Sequence, residues 1–179
     1  MILKTILAAL AFTALTMAGY AQEAAAPASS LPGGANSLQE TYRDWQVACI
    51  QQDAGKRCAM LQQQAQQNGQ RVLSIELTAR AGETGLNGVL VLPFGLALEA
   101  GVTVQVDETG SPQPLRFSTC LPAGCLVPLS FNEAMLGELR AGTSLNINAT
   151  SIANNQAVVL SVSLAGFSAA QERTQALAQ

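Results

Sequence analysis

Histidine occurs nowhere in the 179 residues. Without it there is no Ser-His-Asp triad, no Cys-His dyad and no imidazole-ligated metal. Charged residues are scarce at 12%, and their balance of −3 leaves no electrostatic footprint for nucleic acid. The same scarcity argues against a coiled coil. Aromatic residues make up only 4%, too few to expect a carbohydrate-binding face of exposed rings. What the chain has in quantity is apolar content, 49%, which is too much for a disordered protein. The length suits one domain, and a chain of ~150 residues buries roughly 70% of its unfolded surface. Composition therefore points to a non-catalytic globular domain.

The N-terminus reads as an export signal over residues 1–21. Lys4 supplies a positive start, Ile6 to Ala18 is apolar apart from Thr13 and Thr16, and Gly19-Tyr20-Ala21 puts small residues at the −3 and −1 positions. Cleavage is expected before Gln22. The apolar run is shorter than the ~20 residues a membrane-spanning helix needs, and no later segment is long and apolar enough, so no integral span is expected after cleavage. No cysteine follows the run, so a lipoprotein anchor is not expected either. Loss of Lys4 leaves eight basic against twelve acidic residues. Residues 22–41, rich in Ala, Pro, Ser and Gly, read as a flexible leader, and residues 42–179 as a single domain. The expected location is periplasmic or secreted.

Export turns the four cysteines into a disulfide question. Spacing favours Cys49–Cys58, around a turn at Asp53, Gly55 and Lys56, and Cys120–Cys125, around Leu121-Pro122-Ala123-Gly124. Neither spacing is a zinc knuckle or a redox C-x-x-C motif.

From Trp45 onward, short extended runs alternate with turn residues, as in an all-β sandwich or barrel. Trp45, Val47 and Cys49 share one face of a strand, and Arg57 to Gln63 forms its hairpin partner. Asn68-Gly69 marks the next turn, and Leu73, Ile75 and Leu77 share a face beyond it. Gly88 to Pro93 is continuously apolar, like a strand covered on both sides. Val102 to Val106 alternates. Pro114 to Cys120 and Cys125 to Leu129 read as the arms of the second disulfide hairpin. Ser130-x-x-Glu133 reads as a capping box opening a helix with Phe131, Met135 and Leu139 at helical spacing, stopped by Gly142. Strands resume at Thr143 to Thr150 and Gln156 to Leu164, and Ser168 to Leu177 reads as a terminal helix. The predicted fold is an antiparallel β-sandwich, jelly-roll-like, with one short internal helix and a C-terminal helix.

Candidate chemistry is thin. Neither Gly-x-Ser-x-Gly nor Ser-x-x-Lys occurs, and Lys56 is the sole lysine left as a base after cleavage. Glu76, Glu99, Asp107 and Glu133 are the acids available to a carboxylate-dependent hydrolase, but Asp107-Glu108 reads as a turn and Glu133 as part of the cap. Most of Tyr42, Trp45, Phe94, Phe117, Phe131 and Phe167 fall on apolar faces as core. The glutamines at 62–64 and 66–67 read as a solvated edge and a loop. No catalytic, cofactor-binding or metal-binding residue is assigned, and no cofactor is expected.

Several motifs, taken in order, are similar to the invasion-associated locus B family. They are Trp45-x-Val47-x-Cys49, Cys58, Ile75, Leu92-Pro93-Phe94-Gly95-Leu96, Gly101-Val102, Val104-Gln105-Val106-Asp107, Cys120-Leu121-Pro122-Ala123-Gly124-Cys125, Leu129, and Leu160-x-Val162-Ser163-Leu164-x-Gly166-Phe167-Ser168-x-Ala170. The resemblance spans about Tyr42 to Ala170. It implies a secreted or periplasmic β-sandwich protein of Gram-negative alphaproteobacteria, in a family named for host-cell invasion and without established catalytic residues. The expected function is a non-enzymatic envelope binding module whose partner is an unidentified envelope or host-surface protein. The alternatives are the carboxylate hydrolase and a periplasmic small-ligand carrier using the space between the sheets.

Overall fold

The computed structural model describes residues 31–52, 55–69, 71–79, 82 and 84–178. The expected signal segment and residues 22–30 of the expected leader lie outside them. Eleven strands and two α-helices follow in order: β1 (Ser37–Tyr42), β2 (Trp45–Gln52), β3 (Gly55–Ala65), β4 (Arg71–Ala79), β5 (Leu86–Leu92), β6 (Val102–Val106), β7 (Gln113–Leu115), β8 (Thr119–Leu121), β9 (Gly124–Phe131), α1 (Glu133–Ala141), β10 (Ser144–Thr150), β11 (Ala157–Ser163) and α2 (Phe167–Ala178). Seven strands form one antiparallel sheet in the order β1-β2-β3-β4-β5-β9-β8, and four form a second in the order β11-β10-β6-β7. This is the two-sheet, two-helix architecture predicted above. The large sheet is mainly a meander of consecutive hairpins, with β9 brought in beside β5 after the chain has passed through the small sheet.

Register carries the alternation of each strand across its sheet. Val47 faces Met60, Met60 faces Leu77, Leu77 faces Gly88, and Gly88 faces Leu129, so one residue type per pleat lands on the inner face. A second inner row runs Gln62, Ile75, Leu90, Val127. The small sheet contributes Val104, Val106, Leu145, Ile147 and Val162, all buried. Burying each Val or Leu contributes about 1.5–3 kcal/mol, so these rows dominate the stability of the domain. Helix α2 packs against β1 to β4 and brings Phe167 edge-on to Trp45, with ring centroids 5.3 Å apart. Disulfides join Cys49 to Cys58 on β2 and β3 and Cys120 to Cys125 on β8 and β9.

Four local expectations are displaced. The stretch expected as leader already contains Leu31, which is buried, and β1, which pairs with β2 from Ser37 to Tyr42. Its half-buried face is Leu38, Glu40 and Tyr42, so a carboxylate interrupts the apolar alternation that would have marked a strand. The expected arm Pro114 to Cys120 is two strands in different sheets, because the chain crosses over between Leu115 and Thr119: β7 pairs with β6 and β8 with β9. Helix α1 is capped by Asn132, whose Oδ1 accepts from the Met135 N–H at 3.0 Å, and not by Ser130. Ser130 and Phe131 still belong to β9, where the pairing Leu86–Phe131 holds the strand extended to that point. Lastly, Gln62 is a core residue.

Candidate binding surface

Three connections meet at one end of the sandwich. The link from β5 to β6 is laid along the β10–β11 turn: Ala97 N–H donates to Thr150 O and Ile152 N–H to Gly95 O, both at 2.8 Å, with Leu96 bridged to Ser151. Leu96 is the buried anchor of this link. With the backbone held there, Phe94 and Leu98 point outward, as does Ile152 across the seam; they are 62%, 44% and 71% exposed. On the other flank of Phe94 lies the β8–β9 turn, closed by Cys120–Cys125, where Leu121 is 52% exposed. Pro93, Phe94, Pro122 and Ala123 line a shallow cleft of about 340 Å³ with Gln63 and Arg71. Single exposed apolar residues are ordinary, but a run of them on adjoining loops marks an interaction surface. Backbone bonds join the β5–β6 link to the β10–β11 turn, and the Cys120–Cys125 disulfide closes the β8–β9 turn beside them.

Phe94 thus departs from the other aromatics. Trp45, Phe131 and Phe167 are buried and Tyr42 and Phe117 half-buried, as core positions should be. The signal for Phe94 was its setting, between Pro93 and Gly95 and just past the end of β5, where no sheet face is left to cover it.

The four acids are spread over separate elements. Glu76 is exposed on the outer face of β4, and Glu99 is exposed in the short turn of helix at Leu98–Ala100. Glu133, at the start of α1, pairs with Arg140 at 2.6 Å. Asp107 accepts from the Thr143 hydroxyl at 2.7 Å and from the backbone N–H groups of Thr143 and Ser144. Those bonds, the Thr143 hydroxyl foremost, hold its carboxyl below the usual range. Asp107 is therefore the clasp that ties the end of β6 to the start of β10. A fifth acid, Glu40, receives two bonds from Arg173 of α2 at 2.8 and 2.9 Å and one from the Tyr42 hydroxyl. The guanidinium bond is the main reason its carboxyl also sits low. Lys56 is half-buried on β3 opposite Gln51.

Gln62 sits at the inner face of β3, 5% exposed, and reaches across to the small sheet. Its Nε2 donates to Ser163 O at 2.9 Å, and its Oε1 accepts from Ser163 N–H at 3.1 Å. Trp45 Nε1 donates to the same carbonyl at 2.9 Å. Of the glutamines expected on a solvated edge, Gln62 instead fastens one sheet to the other. Between the sheets, Met60, Leu73, Ile75, Leu77, Leu90, Val104 and Ile147 are each at most 1% exposed and fill the space a carried ligand would need. Among the described residues, no group of three or more His, Cys, Asp or Glu is placed to hold a metal. No helix among them is long and apolar enough to cross a membrane.

Fold and surface together define a disulfide-stapled β-sandwich with exposed apolar groups on adjoining loops at one end. Residues 45–175 match the family model for invasion associated locus B protein. The chain belongs to that family. It is 48% identical over 151 residues to an invasion protein B homolog of Brucella abortus, covering 84% of this chain and 86% of the relative. Invasion protein B of Bartonella bacilliformis is 36% identical over 174 residues, covering 93% of each. The crystal structure of invasion associated protein B from Bartonella henselae superposes with a TM-score of 0.74 at 34% identity, covering 78% of this chain and 96% of that one. These relatives are named as invasion proteins and not as enzymes.

Proposed function

We propose that this chain is an exported, non-enzymatic binding module of the cell envelope, which contacts an envelope or host-surface protein through the loop end carrying Phe94, Leu121 and Ile152. The observation behind this reading is the exposure of those three side chains, Phe94 and Ile152 on connections joined by backbone bonds and Leu121 at the turn closed by Cys120–Cys125. Large apolar side chains held rigidly in water are the usual anchors of a protein interface. The two disulfides suit an oxidising compartment outside the cytoplasm. In this reading residues 1–21 are the cleaved export signal. The relatives' names support a setting in host interaction.

The test is capture from outer-membrane fractions and from host-cell membranes, with the purified exported protein as bait. A Phe94→Ser/Ile152→Ser double variant serves as the control. The expected result is a partner retained by the native protein and lost from the variant, whose melting temperature stays near native because both positions are exposed. Equal retention by the two baits, or none by either, overturns the reading.

A further inference from the structure

Two sheets have four edge strands: β1 and β8 in the large one, β7 and β11 in the small one. An unpaired edge is a template for another strand, and folds blunt such edges with charge, proline or brevity. Three of the four are blunted here. β1 carries Glu40, bound by Arg173 of α2. β8 and β7 have three residues each, and β7 includes Pro114, which has no N–H to offer. β11 is different. It runs seven residues, Ala-Val-Val-Leu-Ser-Val-Ser, with neither a charge nor a proline.

Its backbone polarity is readable residue by residue. Leu164 N–H bonds to Thr143 O, so even-numbered positions address β10 and odd-numbered positions address the free edge. At Ser163 both outward groups are taken by the Gln62 amide, which makes the two bonds a neighbouring strand would make. At Ser161 the carbonyl accepts from Gln64 Nε2 at 2.6 Å and keeps its second lone pair. Ala157 and Val159 carry no such plug, and Val159 is 61% exposed.

We propose that β11 is a dimerisation edge, on which the β11 of a second copy of this chain pairs antiparallel about a two-fold axis through Val159. Val159 then faces its own counterpart, and Ala157 faces Ser161 in both directions, so all the open donors and acceptors are used. The two small sheets become one continuous sheet. The boundaries of the open stretch favour this occupant over a longer extended peptide. A peptide continuing past Ser161 runs into the Gln62 amide at Ser163. The second copy's strand does not, because position 163 falls opposite position 155, where the chain has already turned: Ser151 N–H closes that turn on Gln156 O, and Asn155 has φ +56°. The contact is uncharged, so two acidic copies meet without like charges at the seam. Branched Val side chains paired across strands also favour sheet association.

A five-residue edge buries less than the ~1,000 Å² of a stable interface, so the dimer is weak. The experiment combines sedimentation velocity with amide exchange on the purified protein across a dilution series from millimolar to low micromolar concentration. The expected result is a mass that doubles with concentration, while the amides of Ala157, Val159 and Ser161 gain protection in step. Val159→Lys, at an exposed site, abolishes both changes and leaves the melting temperature near native; Ile152→Ser, on the loop end, changes neither. A protein monomeric throughout overturns the proposal. So does a dimer that survives Val159→Lys with those three amides still exchanging fast. Protection that arises only when envelope extract is added assigns the edge to a different chain and overturns self-pairing.

Discussion

Gln62 and Glu40 each put a polar group where the alternation of their strand calls for an apolar one, and each is matched by a partner far along the chain. Gln62 meets Ser163 and Glu40 meets Arg173. Truncating Gln62 leaves the Ser163 N–H buried without an acceptor and opens space between the sheets. Gln62→Ala is therefore expected to cost about 2–4 kcal/mol in urea denaturation, against less than about 1 kcal/mol for the exposed Gln63→Ala. Both Glu40 and Asp107 have carboxyls held below their ordinary values. A group lowered in this way contributes its full stability above the unfolded value, near pH 4, and loses that contribution as pH falls through the lowered one. Melting temperature should accordingly fall on acidification below about pH 4, and Arg173→Met should flatten the Glu40 share of that fall. Gly166 is constrained by space as well as conformation. Its φ is +89°, and a Cβ there would stand 2.0 Å from Tyr42 O. Gly166→Ala is expected to cost more than about 2 kcal/mol, measured by the same denaturation.

Strands with one clean apolar face were legible from their period of two. Val102–Val106 and the strands around Trp45 and Ile75 run where the alternation places them, and Asn68-Gly69 turns the chain with Gly69 at φ +80°. What escaped reading depended on contacts remote in sequence. The sheet change between β7 and β8 has no local marker, since both halves are extended. The start of α1 was read at Ser130, but β9 keeps Ser130 in register with Asn87 and leaves the cap to Asn132, two residues on. Asn132→Ala should therefore cost about 1 kcal/mol and Ser130→Ala no more than about 0.5 kcal/mol, compared by thermal melts. The disulfides should likewise differ. Cys49 and Cys58 are buried between central strands, and replacing both by Ala is expected to cost about 2–3 kcal/mol for a nine-residue separation. Cys120–Cys125 holds a three-residue edge strand whose residues are all exposed. Its removal should release β8 and the Leu121 turn, visible as fast exchange of the amides there, while the rest of the domain stays protected.

Across the whole domain, the division of labour is by location. The interior is a filled two-sheet core, the acids are consumed as clasps and ion pairs or left in solvent, and Phe94, Leu98 and Ile152 are exposed on adjoining loops at one end, with Val159 exposed on β11. The alternation of the strands anticipated the first of these. It could not anticipate the third, because exposure of Phe94 depends on Leu96 being drawn inward against Ser151, a pairing across more than fifty residues of chain. The position of α2 has a consequence for how the domain comes into being. Trp45 opens β2, yet its indole is satisfied by Ser163 and its ring is capped by Phe167, both more than a hundred residues later. Cys58 Sγ lies 3.9 Å from Leu177 O, so the first hairpin is roofed by the last helix. A chain emerging N-terminus first, from a ribosome or a translocation pore, cannot close its core over that hairpin until nearly all of it is out. Docking of α2 over the first hairpin is thereby among the last steps of assembly.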